Sequence, residues 1–131
     1  MQSFKVKLIV CLGLISMLSM ANAEVFLTVE QARQELFAET PMHNVDITLS
    51  KAKVKAIKKA STVRVLTPKL NAWKTDKNDW FLVDQVIGKH EMIDMVVGID
   101  SSGKVLGLRV LRYVESYGSE VRYIKWLDQF N

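Results

Sequence analysis

Two runs of β-branched and aliphatic residues, 92–99 and 105–110, are separated by only Asp100, Ser101, Ser102, Gly103 and Lys104. A connection this short rules out a parallel crossover, which needs a dozen or more residues, so the two runs must pair as an antiparallel hairpin. The same constraint extends upstream. Residues 80–87 precede a turn at Gly88, Lys89, His90 and Glu91, residues 70–74 form another strand candidate, and Val63 and Val65 alternate with Thr62 and Arg64. About five strands therefore follow one another through short links, and the sheet they build is largely antiparallel.

Helical signals fall outside this block. Thr28 followed by Gln31 has capping-box spacing, and a first helix is expected over 29–37, with Ala32, Leu36 and Val29 inward and Thr40-Pro41 ending it. Ser50 can cap a second helix through about residue 60, with Val54 and Ile57 facing the core and Lys51, Lys55, Lys58 and Lys59 in water. After Gly118, Val121, Ile124, Leu127 and Phe130 recur every three residues with Trp126 beside them, the pattern of an amphipathic C-terminal helix. The fold class expected is α+β, a twisted antiparallel sheet with one face packed against N-terminal and C-terminal helices.

Residues 1–23 read as a separate unit. Lys5 and Lys7 precede an apolar stretch over 8–20, and Ala21-Asn22-Ala23 has small residues where a signal peptidase cuts. This 13-residue stretch falls short of the roughly 20 residues needed to span a bilayer. A cleaved signal peptide and an extracytoplasmic, periplasmic location are the expectation. Val10 before Cys11, with apolar residues after it, does not fit a lipoprotein signal. Cleavage after Ala23 leaves 131 − 23 = 108 residues, one domain over 24–131. That domain has no cysteine, which excludes disulfides, thiolate metal sites, iron–sulfur clusters and thiol nucleophiles within it.

Residues 51–77 carry nine Lys or Arg against Asp76 alone. Either this is a solvated helix face or it meets an anionic surface. Nucleic acid is a poor candidate partner, because no aromatic residue interleaves the lysines before Trp73. A metal is not expected either. His90-Glu91 would need a second histidine four residues after the first to form a zincin helix, and Asp94 stands there. The serines at 101, 102, 116 and 119 lie in turns without the surroundings of a nucleophile, so no catalytic residue is assigned.

The candidate site is the segment of Glu115, Ser116, Tyr117 and Gly118, where the last strand gives way to the C-terminal helix. Ser116 can donate and accept, Tyr117 offers a ring for stacking, and Gly118 lets backbone N–H groups approach an anion. Helix entry at Ser119 and Glu120 would add further N–H groups and a positive dipole end. The alternative is an ordinary strand-to-helix turn with Ser119 as N-cap. Tyr123, Trp126 and Phe130 fit a core better than a ligand site.

These residues carry a resemblance. Gly103-Lys104 in a hairpin turn, Glu115-Ser116-Tyr117-Gly118 after the strand, and 126–130 at the helix end together resemble the FMN-binding domain of extracytoplasmic flavoproteins. That family includes the flavin-carrying subunits of sodium-pumping quinone reductases, and the resemblance spans about residues 79–130. It implies FMN as cofactor, bound at Glu115, Ser116, Tyr117 and Gly118, and electron transfer with membrane-bound redox proteins as partners. Many family members also carry a Ser-Gly-Ala-Thr segment whose threonine a flavin transferase links to FMN. Here Ser61-Thr62 follows Ala60 without that context. Three alternatives remain: a C-terminally truncated relative, non-covalent FMN, or the fold without the flavin, acting as a non-redox binding or interaction module. A flavin reductase is the weakest reading, as no nicotinamide-binding glycine motif is present.

Overall fold

The computed structural model describes residues 24–115 and 118–131. The expected signal peptide and two of the four candidate site residues, Ser116 and Tyr117, lie outside the described residues. The chain runs β1 (Glu24–Val25), α1 (Val29–Phe37), β2 (Met42–Thr48), α2 (Lys51–Ser61), β3 (Lys69–Thr75), β4 (Trp80–Ile87), β5 (Met92–Ile99) and β6 (Val105–Tyr113). A 3-10 turn (Ser119–Arg122), the single-turn helix α3 (Ile124–Leu127) and a second 3-10 turn (Asp128–Phe130) follow. The strands form one sheet in the order β1-β6-β5-β4-β3-β2, antiparallel at every pairing. The fold is α+β, as the short links require.

The turns are held by carboxylates. Asp100 Oδ1 accepts from the backbone N–H groups of Ser102 (2.8 Å) and Lys104 (2.9 Å) and from the Ser102 hydroxyl (2.6 Å). The Ser102 hydroxyl, with these N–H groups, holds the Asp100 carboxyl below its usual range. Asp79, in the β3–β4 turn, accepts from the Ser101 N–H at 3.0 Å and so ties the two neighbouring hairpin tips together. Its own N–H donates to the hydroxyl of buried Thr75.

Alternation along β4 and β5 sends Phe81 and Val96 to one face, where α1 lies. Phe81, Val96 and Ala32 are fully buried there, with Phe37 and Leu111 around them. Phe37 and Trp73 each meet Phe81 edge-on, with ring centroids 6.2 and 5.8 Å apart. The helix comes close because β6 has Gly107 beneath it; a Cβ there would collide with Leu36. Arg109 on β6 donates to Glu35 of α1 at 2.7 Å and closes the flank of the contact. The α1 capping box forms as expected: Thr28 Oγ1 accepts from the Gln31 N–H, and the Gln31 side chain accepts from the Thr28 N–H.

Three local expectations give way to tertiary context. Residues 62–65 form no strand, and Val63 is exposed. The place beside β3 is taken by β2, whose His43, Asn44 and Asp46 are poor strand formers; its inward Val45 and Ile47 give only a short apolar signal. Helix α2 forms under its Ser50 cap but buries no residue and makes no extensive contact with any strand. The C-terminal segment is not one helix. Tyr123 adopts an extended conformation (φ −80°, ψ 133°) that splits it into short turns, and only Leu127 is buried. Among the described residues no helix is long and apolar enough to cross a membrane.

Stability should follow this unequal burial. Phe81→Ala should cost about 3–5 kcal/mol in urea unfolding. Ile57→Ala on α2 should cost less than about 1 kcal/mol, because that side chain is already more than a third exposed.

Candidate binding site

Two features meet at the end of β6. The first is a buckle. Glu115 Oε1 accepts from the backbone N–H groups of His90 (2.7 Å) and Glu91 (3.1 Å), strapping the β4–β5 turn to the chain leaving β6. Gly88 of that turn lies against the same carboxylate, and a Cβ at 88 would strike it. These hydrogen bonds, that from His90 foremost, hold the Glu115 carboxyl below the usual glutamate range. The 88–91 turn and Glu115, 24–25 residues apart in sequence, are thus brought together.

Gly118 follows with φ +76° and is the residue from which the 3-10 turn starts; Ser119 makes no side-chain cap. That four-residue turn offers far less of a dipole end than the continuous helix the sequence suggested. Beneath Gly118 sits Tyr113, 7% exposed, with its hydroxyl 3.2 Å from where a Cβ on Gly118 would stand. Burial first, then the Glu115 and Glu120 carboxylates, raise the Tyr113 phenol above its usual range and keep it neutral. On the α1 face at this end, Arg112 donates to Asp94 at 2.8 Å and Gln85 donates to the same carboxylate at 2.6 Å.

The second feature is a trough on the sheet face away from α1. Leu127 plugs into β6 between Val110 and Tyr113, while Phe26, Ile93, Leu108 and Val121 pack around them. Beyond this plug the C-terminal segment continues along β6 and does not cover β4 and β5. The space left, about 400 Å³, is lined by Val86 of β4, Ile93, Met95 and Val97 of β5, and Val105, Leu108 and Val110 of β6. Val121, Trp126, Leu127 and Phe130 close it from the other side. All eleven lining residues are apolar. Trp126 and Phe130 meet edge-on at 5.1 Å, and both remain about half-exposed at the rim. Sequence reasoning took these aromatics for core. Their three-residue spacing signals an apolar face, but their place at the rim of the trough follows from the break at Tyr123.

Among the described residues no group of three His, Cys, Asp or Glu stands close enough to hold a metal ion. Set against models of known protein families, curated proteins and solved structures, the chain matches none of them.

The buckle predicts a pH dependence. A carboxyl whose folded pKa is lowered contributes stability above its unfolded pKa and loses it as pH falls through the folded value. The His90 and Glu91 amides should therefore be protected from hydrogen exchange near neutrality and lose that protection below the ordinary glutamate range. In Glu115→Ala they should exchange at least severalfold faster near neutrality, and the difference from the parent should disappear below the ordinary glutamate range.

Proposed function

We propose that this protein is an extracytoplasmic, non-redox binding module that holds an apolar small molecule or acyl chain in the trough between β4–β6 and the C-terminal segment. The observation that carries this reading is the lining, eleven apolar side chains with no polar group to orient a guest. The volume of about 400 Å³ lies within the range of small-molecule pockets, toward its lower end. A flavin ring in the same space would bury its amide edge without partners, at a cost of about 1–3 kcal/mol per group. An acyl chain or unsubstituted ring system has no such cost. The basic, apolar and small-residue pattern of residues 1–23 supports export.

The second reading is an exported FMN-binding electron carrier acting with membrane-bound redox proteins. It rests on the resemblance over 79–130 and on the convergence of the 88–91 turn with Glu115. In that reading the flavin carries the electrons and the 115–118 segment positions it.

One titration separates the two. An uncharged apolar fluorophore such as N-phenyl-1-naphthylamine should brighten on binding and shift the emission of Trp126. Val97→Phe, which fills the trough, should weaken it about tenfold or more, equivalent to about 1.4 kcal/mol. FMN should show no fluorescence quenching. Quenching of FMN that Gly118→Val abolishes and Val97→Phe leaves intact would instead establish the flavin carrier.

A further inference from the structure

Helix α2 carries Lys51, Lys53, Lys55, Lys58 and Lys59 and no acidic residue. Among the described residues none of the five forms a salt bridge. A solvated face would account for the lysines alone, since α2 needs water on the sides it does not bury. It does not account for what lies between them. Lys51, Lys55 and Lys58, on successive turns, border a groove of about 400 Å³ with Leu49, Val54, Val65 and Pro68. On the other flank Ile57, Val63, Arg64 and Leu66 border a larger groove of about 530 Å³ whose far wall is the end of β4, from Asp84 to Ile87. Val63 is 59% exposed and Leu66 39%, in a segment with no regular structure to require them there.

We infer that α2 and the 62–68 segment form a docking surface for an anionic lipid bilayer. Charge complementarity selects the partner: residues 50–68 carry six cations, Lys51, Lys53, Lys55, Lys58, Lys59 and Arg64, and no acid. Exposed aliphatic side chains set among those cations select a bilayer over other polyanions. Phosphate headgroups would receive the lysines while Ile57, Val63 and Leu66 enter the acyl boundary, the arrangement of an interfacial helix. A nucleic acid or an acidic protein surface offers the charges but leaves the aliphatic groups in water. Because α2 buries no residue, it can lie on a surface without disturbing the core.

The test is partition of the whole protein, as recovered from cells, onto phosphatidylglycerol and phosphatidylcholine vesicles. The ratio of the two partition coefficients is read, so that any apolar contribution common to both, including that of residues 1–23, cancels. The ratio should lie well above one and fall as salt is raised. Replacing Lys51, Lys55 and Lys58 together by Gln should lower it on the order of 100-fold, at about a fivefold loss for each lysine. Since α2 buries no residue, that variant should keep the circular dichroism and unfolding midpoint of the parent. Val63→Ser with Leu66→Ser should weaken binding to both vesicles. A ratio near one, or a ratio unchanged by the lysine replacements, overturns the inference. So does adsorption to a carboxylate resin with none to vesicles, which would point to an acidic protein as partner.

Discussion

The edge-on contact of Phe37 and Trp73 with the fully buried Phe81 decides how the rest of the molecule is arranged. It commits α1 to one face of the sheet and, through strand alternation, assigns every residue of β4 and β5 to a side. With Val96, Ala32 and Leu111 packed around Phe81, that face is closed. The opposite face is left to the C-terminal segment, which is too short and too broken to cover it. The trough is thus a consequence of unequal cover: one nine-residue helix seated on a glycine floor, against a one-turn helix anchored by a single buried leucine.

Polar groups in this fold act mainly on the backbone of turns. Asp79 and Asp100 hold the hairpin tips at one end of the sheet, and Glu115 holds the β4–β5 turn at the other. Each is an ionised acceptor facing N–H groups that the ladder leaves unpaired, a strong kind of hydrogen bond at little packing cost. Glu115 serves the site as a brace. Its carboxylate is committed to His90 and Glu91, and the other described site residue, Gly118, accepts from the Val121 N–H at its carbonyl. The polar buckle and the apolar trough are therefore neighbours with separate chemistries.

The cationic helix belongs to a different part of the molecule. It interrupts the β2–β3 hairpin as an outgrowth, stabilised by its Ser50 cap and local propensity more than by burial. Such an element adds little to stability and is free to serve a surface. Lysines whose aliphatic neighbours are also exposed suit a boundary between water and an apolar phase better than bulk water.

Much of the fold was legible in the chain. The short links around 88–91 and 100–104 force antiparallel pairing, the Thr28–Gln31 box starts α1, and Ser50 starts α2, because each is a local signal spanning a few residues. Of the site, the location of Glu115 and Gly118 at the strand end was also readable. What escaped depends on contacts between distant residues. That β2 rather than 62–65 pairs with β3, that Glu115 reaches the 88–91 turn, and that the C-terminal aromatics form the rim of a trough are not encoded in any single window. Alternation and spacing determine which side chains share a face. Only the packed structure decides which face is covered, since that depends on the volume and reach of helices far away in the chain.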